Sequence, residues 1–279
     1  MAYINFNGKI LSANSGILTA QNRAVRYGDG LFETLLYSNE QLLMWGAHQQ
    51  RLWKGLQLLK FYLPQHFTPT LLLEETLKLI HQSQLNRARV RINVVRGEGN
   101  LFAPVENGLH YIIEATAIEK TFTLNDTGLN LCIYPDVHKI CNPISNIKHN
   151  NFLPYTLGAI YASEQHCQDS IVLNQFERIC DTCIANIFFI KDNEIFTPAL
   201  SEGCIAGTMR AYIIECLHQL DISINEGAFT INQLLDADAI FVTNALHPIQ
   251  WVGSIHKNEF RKAEVENIYQ SLKKKLLYY

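Results

Sequence analysis

The chain has 279 residues, a formal charge of −3, a sequence pI near 6.4 and ordinary globular proportions, 48% hydrophobic and 18% charged. That balance excludes the basic footprint of a nucleic-acid binder, and no run of about 18 apolar residues is present to cross a membrane as a helix. The start, Met1-Ala-Tyr-Ile-Asn-Phe-Asn-Gly-Lys9, lacks the basic-then-apolar layout of a signal peptide, so a cytoplasmic protein is expected.

In chain order, hydrophobic periodicity predicts short strands at Tyr3–Asn7, Leu31–Ser38 and Gln41–Met44. Helices follow at about His48–Tyr62 and Leu71–Gln84, with apolar residues at three-and-four spacing. Two strands come next, Arg89–Arg96, in which Val90, Ile92 and Val94 alternate, and His110–Thr116. The stretch Ile118–Asp126 carries turn and charge chemistry and reads as a joint between two independently patterned halves, residues 1–117 and 127–279. The second half predicts a strand at Leu129–Tyr134, a helix at Leu153–His166 and strands at Ser170–Asn174, Ile184–Ile190 and Glu194–Thr197. A helix at about Thr208–Leu220, a strand at Ala239–Thr243 and a terminal helix from about Lys257 complete it. The basic run Lys273–Lys275 suits the C-terminal end of that helix, where cations complement the dipole. Strands mixed with helices, without regular alternation, predict an α+β fold in both halves.

Seven scattered cysteines, Cys132, Cys141, Cys167, Cys180, Cys183, Cys204 and Cys216, read as reduced thiols. Cys180 and Cys183 form a CxxC. Zinc would need a second ligand pair, and none stands at ligand spacing, so no metal site is expected. A redox CxxC opens a helix, whereas this one leads into a strand-like run. The commonest hydrolase and nucleotide signatures are absent, and Arg96-Gly-Glu-Gly99 is only a fragment of a glycine-rich loop.

Four segments carry chemistry together. The first is Asn22-Arg-Ala-Val-Arg-Tyr-Gly-Asp-Gly-Leu-Phe-Glu-Thr34, running into Ala47-His-Gln-Gln-Arg-Leu52. The second is Ser145-Asn-Ile-Lys-His-Asn-Asn-Phe-Leu-Pro154. The third is Ile179-Cys-Asp-Thr-Cys-Ile-Ala-Asn-Ile-Phe188, continuing through Thr197-Pro198 to Ala206-Gly-Thr-Met-Arg210. The fourth is Val242-Thr-Asn-Ala-Leu-His-Pro-Ile249. In order and spacing they resemble the class IV pyridoxal-phosphate enzymes, the group of branched-chain aminotransferase, D-amino-acid aminotransferase and 4-amino-4-deoxychorismate lyase. The resemblance covers nearly the whole chain.

The resemblance implies a two-domain fold of pyridoxal-phosphate type IV. A small N-terminal α/β domain (1–117) is joined by a linker (118–126) to a larger C-terminal pseudo-barrel domain (127–279), and the protein is a homodimer. It implies pyridoxal 5′-phosphate carried on Lys148, which then moves the substrate's α-proton; lysine suits this because burial and neighbouring charge can keep it a neutral amine. The cofactor's ring nitrogen needs a carboxylate, which the resemblance assigns to Asp181, where the family has the longer glutamate. Its phosphate is assigned to Arg51, to Gly207, Thr208 and Met209 at a helix start, and to Thr243 and Asn244. Phe32, Thr34, Arg96 and Ala245 are expected on the substrate side. Phe32 stands where D-amino-acid aminotransferases carry tyrosine, and Phe152 cannot make the hydrogen bond of the family's tyrosine. Read singly, each residue has a plainer explanation: a solvated loop lysine, a surface helix arginine, an N-cap threonine, a turn aspartate.

Three functions follow. The lyase reading, pyruvate eliminated from 4-amino-4-deoxychorismate to leave 4-aminobenzoate for folate synthesis, is favoured by Tyr27-Gly-Asp-Gly-Leu-Phe-Glu-Thr34, Ile147-Lys-His149 and Thr243-Asn-Ala-Leu246. Transamination of branched-chain or D-amino acids uses the same first steps. A degenerate, non-catalytic family member is the third.

Overall fold

The computed structural model describes residues 2–99, 108–119 and 123–277. Residues 120–122 of the expected joint lie outside the described residues. By contact the chain divides into two compact units, Met1–Lys120 with Ile147–Asn151, and Thr121–Asn146 with Phe152–Tyr279. The short segment bearing Lys148 thus belongs to the first unit, although the chain enters and leaves it from the second.

In the first unit the elements run β1 (Tyr3–Phe6), β2 (Lys9–Ser12), α1 (Arg23–Tyr27), β3 (Gly30–Ser38), β4 (Gln41–Leu42), α2 (Trp45–Leu58), α3 (Pro69–Gln82), β5 (Ala88–Arg96) and β6 (Leu109–Ala117). The strands form one antiparallel sheet in the order β2-β1-β6-β5-β3-β4. Alternation divides each strand between two faces. Leu31 and Leu35 of β3 and Val90, Ile92 and Val94 of β5 meet Leu52 and Leu56 of α2 and Leu72, Leu79 and Ile80 of α3 in one buried cluster. Each such side chain contributes roughly 1.5–3 kcal/mol by leaving water. Thr68 caps α3 by accepting from the Leu71 N–H at 3.1 Å, and Pro69 occupies the first turn, where no backbone donor is needed.

The second unit runs β7 (Leu129–Ile133), α4 (Leu153–Glu164), β8 (Asp169–Leu173), β9 (Ile179–Thr182), β10 (Asn186–Lys191), β11 (Glu194–Pro198), α5 (Thr208–His218), β12 (Ile224–Gly227), α6 (Ile231–Leu235), β13 (Ala239–Thr243), β14 (Gln250–Ile255), β15 (Asn258–Glu259) and α7 (Ala263–Leu277). Its nine strands form a mixed sheet, β12-β11-β10-β13-β14-β7-β8-β9, with β15 beside β14. The sheet curls so that β9 comes back against β10 and β11, enclosing Leu131, Ile171, Ile187, Phe189, Ile240, Val242 and Val252. Near-continuous apolar runs such as Ala239–Val242 are what a strand covered on both faces requires.

Two sequence expectations are corrected. The terminal helix begins at Ala263, not near Lys257, because β14 and β15 form a tight hairpin there, with His256 at φ +51°. β14 is half polar and β15 wholly polar, so they carry little alternation to read. Ile184 lies in the turn before β10, and the residues ahead of it form a separate strand, β9, which holds Cys180.

Candidate active site

The Tyr27-Gly-Asp-Gly30 motif is a helix end followed by a strand start. Asn22 caps α1 by accepting from the Ala24 N–H, and Gly28, at φ +63°, ends it. Asp29 then binds Arg23 Nε at 2.8 Å and Arg96 Nε at 3.0 Å. Arg96 also donates to the carbonyls of Leu59 (2.6 Å) and Lys60 (3.2 Å) and lies over the Phe61 ring. Expected on the substrate side, Arg96 here clamps the Asp29 turn to the end of α2.

Gly30 begins β3 because the β5 backbone and, from a neighbouring segment, the Asn150 side chain crowd it. A Cβ there would lie 2.5 Å from Asn150 Nδ2 and 2.7 Å from the Val94 carbonyl. That neighbour is the Lys148 segment, which pairs with the edge of β3: the Phe32 N–H donates to the Lys148 carbonyl at 2.8 Å, and the Asn150 N–H to the Gly30 carbonyl at 2.9 Å. Ile147 joins the apolar core beside Gly55. Lys148 reaches Phe32, its Nζ 4.8 Å from the ring centroid, and the Arg91 guanidinium lies 3.8 Å from the same centroid. Thr34 pairs with Arg91 in register, so Phe32, Thr34 and Arg91 share the sheet face opposite the core. Burial pulls the Arg91 guanidinium below its ordinary range, with Glu114 opposing. It is a half-buried cation on the same aromatic ring as Lys148.

Arg51, a residue of α2, lies over the other face. Its Nε and Nη2 grip Glu33 Oε1 and Oε2 at 2.8 and 2.5 Å, and His48 Nδ1 lies 2.7 Å from Oε2. Burial alone would raise the Glu33 carboxyl; Arg51, then His48, overcome it and bring it down to about 2. His48 is lowered chiefly by burial. Because ionised Glu33 only accepts, the neutral imidazole must carry its proton on Nδ1.

In the second unit Asp181 is 2% exposed and held by several donors. Its Oδ2 accepts from Tyr155 Oη (2.5 Å), the Ile205 N–H (2.9 Å) and Lys139 Nζ (3.4 Å), and its Oδ1 from Asn186 Nδ2 (3.0 Å). Asn186 pairs with Thr243 across β10 and β13. Its own Oδ1 abuts Gly207, where a Cβ would stand only 1.9 Å away. Asp181, Gly207 and Thr243 are therefore brought together around one asparagine. Gly207 is the N-cap of α5, with φ −63° and ψ 132°, so the helix's first N–H groups open beside it. Met209 is buried, which leaves only its backbone for an anion. Thr243 Oγ1 is buried without a hydrogen-bond partner among the described residues. An orphan hydroxyl, a helix start and a glycine with no room for a side chain fit a phosphate group. Asn244 spends its Oδ1 on the N–H groups of Leu246 and His247, shaping the turn that holds Ala245.

The CxxC takes no part. Burial pushes Cys183 up to about 12 and Cys180 well above the ordinary thiol range, so neither is a ready thiolate. All seven cysteines are free, and no metal-binding group of His, Cys, Asp or Glu occurs among the described residues.

The sequence pattern of the family described as amino-transferase class IV matches residues 30–255. The chain belongs to the class IV aminotransferase family. This class IV enzyme is 28% identical to the aminodeoxychorismate lyase of Vibrio harveyi, over 85% of its own length and 87% of the relative's. It is 24% identical to the D-alanine aminotransferase of Listeria innocua, over 93% and 90%. The branched-chain amino acid aminotransferase of Escherichia coli has the same fold, with a TM-score of 0.86 at 22% identity, over 96% of this chain and 92% of that one. The family depends on pyridoxal phosphate, and this member is accordingly a pyridoxal-phosphate-dependent lyase or aminotransferase.

Sequence reading missed Arg91, Glu33 and His48 as partners, and the pair Lys139 and Tyr155 behind Asp181. Arg91 had a faint signal, a cation at an alternating position of β5. Lys139 had none, since its partners lie 16 and 42 residues away in sequence.

Proposed function

We propose that this class IV enzyme is a 4-amino-4-deoxychorismate lyase, releasing pyruvate and leaving 4-aminobenzoate. What carries this reading over transamination is its likeness to the Vibrio harveyi lyase, greater than that to the D-alanine aminotransferase. The chemistry around Lys148 agrees. Pyruvate and 4-aminobenzoate each carry a carboxylate, so the substrate is a dianion, and Arg91 sits on the same aromatic ring as the reactive amine. Phe32 rather than tyrosine gives that ring an apolar, planar face suited to a cyclic substrate.

Pyridoxal phosphate, when bound, supplies an aldehyde and an electron-withdrawing ring. Lys148 Nζ would hold the aldehyde carbon until the substrate's amine displaces it, and the amine so freed would take the substrate's α-proton. Asp181 would accept the ring N–H. Thr243 Oγ1 and the first-turn N–H groups of α5 would donate to the phosphate, and Arg51, oriented by Glu33, would place a positive charge near it. Arg91 binds one substrate carboxylate.

The working form is a homodimer. Supporting this, Leu153, Leu157 and Ile160 of α4 are exposed by 69, 38 and 51%, and the helix carries no charged residue before Glu164. Seven free cysteines accord with a cytoplasmic location.

The test is incubation of the pyridoxal-phosphate form with 4-amino-4-deoxychorismate. Equimolar pyruvate and 4-aminobenzoate are expected. A 2-oxo acid formed from an amino donor, with no aromatic product, makes it an aminotransferase instead. Borohydride reduction of the wild type must fix the cofactor covalently, and Lys148→Ala must abolish that mass increment.

A further inference from the structure

We propose that Lys139 and Tyr155 are positioning residues: they grip Asp181 by Oδ2, so that Oδ1 is the oxygen presented to the cofactor's ring nitrogen. The inference rests on the reading of Asp181 just given. Tyr155 and the Ile205 N–H donate closely to Oδ2, with Lys139 at 3.4 Å, whereas among the described residues Oδ1 receives only Asn186. A carboxylate oxygen offers about two lone-pair positions. Oδ2 is therefore saturated, and Oδ1 keeps one acceptor position open.

The direction of the network is fixed by its chemistry. Lys139 is buried, and its ammonium can only donate, to the Tyr155 hydroxyl, the Gly203 carbonyl and, at 3.4 Å, the Ser145 carbonyl. Having accepted from Lys139, the Tyr155 oxygen must turn its own proton to Asp181. Burial pushes the Tyr155 phenol well above its usual range, so the proton stays there to be donated. The tyrosine ring is held in turn by Phe152, with centroids 4.4 Å apart.

A buried ammonium is costly to keep in a core, and an apolar side chain of similar volume would do as well for packing. Its presence calls for a task that methionine cannot perform. Aspartate lacks one methylene of the family's glutamate, so its carboxylate depends on its neighbours to aim it. Rotation about its last bond would exchange the two oxygens, and the close donors on Oδ2, the Ile205 N–H and a Tyr155 hydroxyl held by Lys139, prevent that.

The experiment uses holoenzyme variants Tyr155→Phe, Lys139→Met and Asp181→Asn. Two quantities are read: the dissociation constant for pyridoxal phosphate, and the pH midpoint of its visible band. Losing one charge-assisted hydrogen bond corresponds to about a tenfold weakening, so Tyr155→Phe and Lys139→Met should each weaken binding by about that much and move the midpoint. A merely structural role would lower thermal stability while leaving both quantities unchanged, and that result overturns the proposal. If Lys139→Met does not fold, Tyr155→Phe decides alone. If Asp181→Asn also leaves both unchanged, the reading of Asp181 has failed; if it alone changes them, only the positioning role has.

Discussion

Replacing Gly207 by alanine tests the phosphate end of the site. The new methyl would stand 1.9 Å from Asn186 Oδ1, whereas real Cβ contacts under 3.0 Å are essentially never seen, so the two must part by more than 1 Å. Asn186 resists, because its Nδ2 donates both to Asp181 and, at 2.9 Å, to the Ile205 carbonyl, and its backbone lies in the β10–β13 ladder. Overpacking of this kind costs about 1–3 kcal/mol, and each hydrogen bond lost adds about 1 kcal/mol. Whichever side yields, the α5 N-terminus or the Asn186 amide is displaced. Gly207→Ala should therefore unfold earlier in urea and bind pyridoxal phosphate about 10–100-fold more weakly, since about 1.4 kcal/mol is a factor of ten. Urea titration followed by fluorescence and absorbance titration of the apoprotein with the cofactor give the two values. Binding within twofold of the wild type would show that the N-terminus of α5 and Asn186 do not form the phosphate cradle.

Thr243→Val removes a buried hydroxyl that has no partner among the described residues; apoprotein stability should stay the same or rise, while pyridoxal phosphate binds about tenfold more weakly. A fall in apoprotein stability with unchanged affinity would contradict this. Glu33 sits at about 2 in the fold against an ordinary 4.5, so it stabilises the fold fully above pH 4.5 and that contribution fades as pH falls through 4.5 towards 2, by about 3 kcal/mol in all. Glu33→Gln, which strands Arg51 in a buried setting, should cost about 3–5 kcal/mol at pH 7. The gap between the two denaturation midpoints must narrow below pH 4.5, and a constant gap would refute the pairing. Arg91→Ala should raise the KM for 4-amino-4-deoxychorismate about 10–100-fold, as expected for losing a hydrogen-bonded charge, without changing cofactor affinity; an unchanged KM removes Arg91 from the substrate side.

Much of the molecule could be read from local pattern. The three-and-four spacing in α2 and α3 and the alternation of Val90, Ile92 and Val94 are consequences of helical and strand periods, which act over a few residues. Gly30 and Gly207 signal themselves because only glycine lets two backbones, or a backbone and an amide, come so close. The Lys148 neighbourhood and its three companion motifs were legible as a resemblance to the class IV family, which the match over residues 30–255 bears out. The polar hairpin of β14 and β15 was not, because half-exposed short strands impose little on side-chain choice. Tertiary structure alone decided that Arg91 and Lys148 share the ring of Phe32, that Arg96 clamps a turn, and that Lys139, Tyr155 and Asp181 form one buried chain. Those contacts join residues far apart in sequence, and the cost of burying a charge away from water is met only where the fold brings its partner. No local period records such a meeting.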